Sequence, residues 1–207
     1  MLTGIRDLDF KILNDLDDKS LVNYCSTNKE ADKICENQMF WMNRVIIKFP
    51  YINLNTLKQN KGNKTWSEYY IEDLRKIDHI NSNDYLTDGS KNGRLDHVMI
   101  AIQQGAEIHT FGDSAVKWSS YGGHLDVTKY LVSLGADIHS GNDLAIRWAS
   151  MNGHLNVVKY LVSLGADIHA INDTAIRLAS VNGHLDVVKY LVSLGACLLY
   201  TSPSPRD

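Results

Sequence analysis

Four passages of the chain spell nearly the same phrase about 30 residues apart. They run from Gly93-Arg94-Leu95 to Gly105-Ala106, Gly123-His124-Leu125 to Gly135-Ala136, Gly153-His154-Leu155 to Gly165-Ala166, and Gly183-His184-Leu185 to Gly195-Ala196. A fixed period of that size describes stacked supersecondary units, each too small to bury its apolar face alone. The second half of the chain is thereby confined to a solenoid, an architecture that offers an extended surface for binding and no enclosed pocket for chemistry.

Residues 143–172 show what one unit is built to do. Asp143 is placed to cap a short helix from Leu144 to Met151 by accepting amide hydrogens of its first turn. Asn152-Gly153 breaks that helix, and a second runs from about His154 to Leu164. Its apolar residues, Leu155, Val157, Val158, Tyr160, Leu161, Val162 and Leu164, wrap too far round for one stripe, as a helix between neighbouring repeats requires. Gly165 ends it in a left-handed conformation. Ala166 to Asn172 alternates its side chains and reads as an extended finger returning to Asp173.

Helix, turn, helix and finger, written with Gly-His-Leu-Asp/Asn-Val-Val and Leu-Gly-Ala-Asp-Ile-His, resemble ankyrin repeats over roughly residues 83–196. The resemblance implies an all-α ankyrin-repeat solenoid that captures a protein on its concave face. Two departures stand out. The family's Thr-Pro-Leu-His tetrad is replaced by Ser114-Ala115-Val116-Lys117, Leu144-Ala145-Ile146-Arg147 and Thr174-Ala175-Ile176-Arg177, and the finger is about three residues short of the 33-residue unit, which predicts blunt fingertips. The first unit writes Tyr85-Leu86-Thr87-Asp88-Gly89-Ser90 on its first helix and reads as a degenerate N-terminal cap.

The second helices hardly vary between repeats, whereas the finger and first helix do. Candidate protein-binding positions are therefore Phe111, Ser114, Trp118, Tyr121, Asn142, Leu144, Trp148, Met151, Ile171, Thr174, Leu178 and Val181. Aromatic residues and Met among them are the types that supply binding hot spots.

Residues 1–48 carry no repeat. Leu8, Ile12, Leu13 and Leu16 fall at helical spacing, and Asp17-Asp18-Lys19-Ser20 caps a next helix with Leu21, Val22, Tyr24 and Cys25 on its apolar side. A third helix carries Ala31, Ile34, Cys35 and Phe40-Trp41, making a small helical bundle. Lys11 to Leu21, with Ile34-Cys35, Phe40-Trp41 and Arg44, is similar to an F-box, although Leu8-Asp9 stands where that family opens with Leu-Pro. The similarity implies binding of a Skp-type adaptor of cullin–RING ubiquitin ligases through Leu8, Ile12, Leu13, Leu16 and Leu21. Residues 49–82 form a bridge: Lys58 to Lys64 reads as a loop, and Thr65-Trp66-Ser67-Glu68 has capping-box spacing and opens a helix through Tyr69, Tyr70 and Leu74. The combined arrangement resembles proteins that giant DNA viruses encode in families.

After Ala196 the repeat breaks in mid-phrase. Residues 197–207, Cys197-Leu198-Leu199-Tyr200-Thr201-Ser202-Pro203-Ser204-Pro205-Arg206-Asp207, resemble translated sequencing adapter, so the last repeat reads as truncated.

The remaining features exclude rather than assign. A formal charge of −3 gives no electrostatic reason to expect nucleic acid or an anionic membrane. The start lacks a secretory pattern and no run approaches the roughly 18 apolar residues of a membrane span, so a cytoplasmic monomer is expected, in host cytoplasm if viral. Cys25, Cys35 and Cys197 lack metal-ligand spacing and read as reduced, buried thiols. Two histidine columns, His109/His139/His169 and His124/His154/His184, lie about 8–10 Å apart per layer, too far to share a zinc ion, and are expected to bond backbone groups. Lys117, Arg147 and Arg177 are expected to pair with Asp113, Asp143 and Asp173 four residues earlier. Lys129, Lys159 and Lys189 read as a solvated outer face. With no phosphate loop, nucleophile elbow or paired carboxylates, no enzyme and no cofactor is expected. The function expected is an adaptor that captures a target and recruits a ubiquitin ligase. The alternative is a plain ankyrin scaffold or inhibitor that masks a host protein, its N-terminal bundle only a cap.

Overall fold

A computed structural model of the chain describes residues 16–27, 33–74 and 81–197. The chain divides into two compact units, Met1–Ile80 and Asn81–Asp207.

In the first unit, α1 (Asp18–Thr27) begins where the Asp17 carboxylate accepts the Ser20 amide at 2.9 Å and its hydroxyl at 2.8 Å. Helix α2 (Gln38–Lys48) begins at Asn37, whose side chain accepts the Met39 amide. The single helix expected to join Ile34 to Trp41 is therefore interrupted: the chain turns at Glu36, and the asparagine cap starts a new helix. Ala31 lies outside the described residues. Helix α3 (Leu54–Lys61) is capped by Asn53 and stopped by Gly62 at φ 57°, so much of the polar stretch expected as a loop is helical. The predicted capping box is present at Thr65 and Glu68, and hydrogen bonds from Thr65 pull the Glu68 carboxyl below its usual value. The helix it opens, α4 (Trp66–Glu68), continues as a wider, π-helical turn over Tyr69–Leu74.

Phe40, Trp41, Val45, Leu57, Tyr69, Tyr70 and Leu74 make the buried core of this unit. The Trp41 and Tyr70 rings meet at 5.4 Å. Buried Arg44 donates to the Tyr70 hydroxyl at 3.2 Å and to the Leu16 carbonyl at 2.7 Å, as an interior guanidinium requires. One cysteine expectation is corrected. Cys25 and Cys35 are joined in a disulfide with Cα atoms 6.1 Å apart, a tertiary proximity that their sequence spacing does not announce. Neither is fully buried, and Cys197, outside the disulfide, is exposed.

The second unit stacks helix pairs: α5 (Ser82–Lys91) with α6 (Leu95–Gln103), α7 (Thr110–Tyr121) with α8 (Leu125–Ser133), α9 (Ser140–Met151) with α10 (Leu155–Ser163), and α11 (Ala170–Val181) with α12 (Leu185–Ser193). Every described regular element is helical, giving an all-α solenoid. The first helices, α5, α7, α9 and α11, pack on one another far more extensively than do the second helices behind them. Small buried residues such as Ala115, Ser119, Ala145, Ala149, Ala175 and Ala179 permit that approach. Val157, Val158, Leu161, Val187 and Leu191 fill the space between layers from the second helices. Beyond the last layer, the α11 and α12 side chains Val181, Leu185 and Val192 stand exposed. No described helix is long and apolar enough to cross a membrane.

The fingers are not extended. The opening turns of α7, α9 and α11 instead reverse direction through three successive left-handed, non-helical residues, Phe111-Gly112-Asp113, Gly141-Asn142-Asp143 and Ile171-Asn172-Asp173, with φ between 52° and 69°. The short period leaves no length for a two-stranded tip, and a left-handed turn is the compact substitute. Gly, Asn and Asp tolerate this conformation, but Phe111 and Ile171 carry a penalty of roughly 1–2 kcal/mol each. Strain of this kind persists where the surroundings over-determine it, and it concentrates at functional sites.

Candidate functional site

The first helices and left-handed turns form one continuous face, and the packing of successive turns against each other fixes its geometry. Asp113 and Asp143, both buried, accept a backbone amide of the following turn: Asp137 N–H at 3.0 Å and Asp167 N–H at 2.9 Å. In the first repeat Asn83 does the same for the Glu107 amide at 2.8 Å. Asp143 thus caps the following turn rather than its own helix, which corrects the expected role. The same Oδ1 atoms lie 2.8, 2.9 and 2.7 Å from Nδ1 of His109, His139 and His169 along the series Asp113, Asp143, Asp173. Those histidines therefore meet carboxylates, not the expected backbone groups.

The second histidine column does bond the backbone. His124 Nε2 lies 3.0 Å from the Lys91 carbonyl and His154 Nε2 2.9 Å from the Tyr121 carbonyl, each in the preceding repeat. Burial pushes His154 below the ordinary histidine value, partly opposed by its bond to Tyr121. These rings lie against the glycine before them: a Cβ placed on Gly93, Gly123 or Gly153 would meet Nδ1 of His124, His154 or His184 at 2.4 Å. Glycine here serves a left-handed turn and a ring-sized gap at once. Among the described residues no cluster of His, Cys, Asp or Glu is arranged to hold a metal ion.

The basic column is also structural, but with other partners than expected. Arg147 donates to the carbonyls of Gly141 at 2.9 Å and Asn142 at 3.1 Å, and Lys117 donates to the Gly112 carbonyl. With the aspartates committed to amides and histidines, the cations cap the left-handed turn instead. Burial lowers the Arg147 value, and Asp143 opposes that shift. Exposed Lys129 and Lys159 each lie 5.6 Å over the tyrosine of the next repeat, Tyr160 and Tyr190.

Three candidate residues come together as an aromatic cluster. The Trp118 and Trp148 ring centres are 5.1 Å apart, and Tyr121 sits edge-on to both at 5.6 Å. Ser114, Leu144, Met151, Thr174 and Leu178 are half-buried along the same face. Phe111 is 75% exposed and Val181 83% exposed, while Asn142 and Ile171 also point to solvent. Sequence reasoning missed the neighbourhood of Asp84, Asp88 and Lys91, whose ammonium lies 5.2 Å over Trp118. Its sign was the departure of the first repeat from the pattern.

Of the adaptor-binding candidates, Leu8, Ile12 and Leu13 lie outside the described residues. Leu16 is half-buried and Leu21 is 1% exposed, a core residue of the first unit.

A comparison with curated proteins finds no match. A family model described as ankyrin repeats (three copies) matches residues 86–172 and again 140–201, together more than half of the chain. Repeats of this kind are protein-binding scaffolds, generally without enzymatic activity. The period, the stacked helix pairs and the matched residues agree, and the chain belongs to the ankyrin repeat family.

Proposed function

We propose that the first-helix face captures a target protein and that the N-terminal unit recruits a Skp-type adaptor, so that the chain raises the effective concentration of a ubiquitin ligase at its target. The carrying observation is the exposed Phe111 on a strained left-handed backbone, continuous with the Trp118/Tyr121/Trp148 cluster. An apolar ring held out to solvent at a conformational cost is the mark of a contact residue. Leu13→Asp/Leu16→Asp against the intact chain, in a pull-down with the purified adaptor, tests the recruiting half. Binding by the intact chain and loss in the variant supports it; no binding by either removes it.

A second reading is favoured by one observation. Leu21 is buried, which supports the N-terminal unit as a structural module and the chain as a scaffold or inhibitor acting through its repeats alone. A chain that masks its target without binding the adaptor carries this reading.

The resemblance to giant-virus proteins supports placement in host cytoplasm, whereas the Cys25–Cys35 disulfide is uncommon chemistry there. Alkylation of unreduced cell extract reports which prevails. Reading the codons for residues 197–207 tests their proposed adapter origin.

A further inference from the structure

Stacked repeats allow each layer to be compared with the next, and one side chain is missing from the first. At the position of Thr87 the following repeats carry Lys117, Arg147 and Arg177. The Lys117 ammonium lies in the groove between the second and third repeats, where it would stand 3.3 Å from a Cβ placed on Gly141 and bonds the Gly112 carbonyl. Between the first and second repeats, short Thr87 leaves the corresponding space open as a cleft of about 380 Å³. Asp84 and Asp88, one helical turn apart on α5, line one side; Phe111 and Trp118 line the other.

We propose that this cleft receives a cationic side chain, a guanidinium or an ammonium, from the partner protein, in the place that Lys117 fills one layer further on. The inference rests on the reading that this face binds protein. Two carboxylates and two aromatic rings make a complementary lining, because ring faces and carboxylates both attract a cation. The Trp118 ring already draws a cation, the ammonium of Lys91, which also lines the cleft. Asp88 accepts one bond from the Asn92 amide at 2.9 Å and keeps acceptor capacity. Asp84 is exposed beside the opening. One ammonium against two carboxylates leaves the cleft net negative, and the later layers lack this acidic pair, with Ser114/Trp118 and Leu144/Trp148 in its place.

The test follows the Trp118 indole N–H by NMR in the full chain, with N-acetyl-arginine amide and its neutral isostere N-acetyl-citrulline amide as probes. Arginine is expected to shift the signal saturably in the millimolar range and citrulline is not. Asp84→Asn/Asp88→Asn is expected to weaken arginine roughly tenfold, and Thr87→Lys, which installs the side chain later layers carry, is expected to abolish its effect. Equal shifts from both probes, no shift from arginine, or an unchanged response in Thr87→Lys would overturn the proposal. Panning a random peptide library on the same chain separates it from the reading beneath it. Selected peptides that shift the Trp118 and Trp148 indoles but carry no cation refute the cleft and leave the face intact. If no selected peptide shifts either indole, the binding face fails as well.

Discussion

Gly153 and Gly183 share a backbone conformation, φ 75° and 78°, but not an environment. A Cβ on Gly153 would stand 2.4 Å from Nδ1 of His184, whereas one on Gly183 would meet no described residue within 4 Å. Alanine at either site carries the left-handed penalty of roughly 1–2 kcal/mol. At Gly153 it must also displace the His184 ring from between two layers, an overpacking strain of about 1–3 kcal/mol. Gly183→Ala is therefore expected to destabilise by about 1–2 kcal/mol and Gly153→Ala by about 2–5 kcal/mol. Urea unfolding followed by circular dichroism reads both values, with slopes compared to confirm that the same surface unfolds. A double-mutant cycle then isolates the clash: with His184→Ala present, the cost of Gly153→Ala should drop to that of Gly183→Ala. Equal costs in the wild-type background, or no coupling in the cycle, would refute the idea that the histidine ring locks one layer to the next.

Asp143→Ala removes the buried carboxylate that accepts the Asp167 amide and is expected to cost about 1–3 kcal/mol in urea unfolding, while Asp143→Asn keeps an acceptor and tolerates the backbone, so it should cost clearly less; equal losses would count against the staple. Because burial holds His154 below its unfolded value of about 6.5, its contribution is complete above that pH and declines as pH falls through it toward the lower folded value. The urea midpoint of wild type should accordingly fall more steeply between about pH 7 and 5 than that of His154→Gln, and parallel curves would contradict this. Thiol titration in denaturant should find Cys197 alone before reduction and all three cysteines after it, whereas three reactive thiols at the outset would contradict the Cys25–Cys35 bond.

The stack was legible because its cause is local and repeated: Gly-His-Leu and Leu-Gly-Ala punctuate each layer, and the apolar residues between them have nowhere to go but against a neighbour. The finger misled because alternation from Ala166 to Asn172 looks extended, whereas the left-handed turn depends on how little chain is available to reach the next helix. Asp143 reads as a capping residue, but the amide it caps lies in the following turn, a partner that only the folded stack supplies. Arg147 invites pairing with its i−4 aspartate for the same reason, since spacing alone does not show that an amide and a histidine occupy that carboxylate. The cleft beside Trp118 arises from an absence, a threonine where the series has a cation, which becomes visible once layers are superposed. In the first unit the capping box was evident from spacing, while the disulfide and the π-helical turn over Tyr69–Leu74 depend on tertiary packing.

A binding face built on interlocked layers must be rigid before any partner arrives. Site-resolved hydrogen exchange at the Asp137 and Asp167 amides measures this directly, since both sit in turns outside any helix and are held by an aspartate of the preceding turn. Protection comparable to that of the core amides of α8 and α10 is the expected result; exchange at the rate of an open turn would contradict the interlocking on which the face depends.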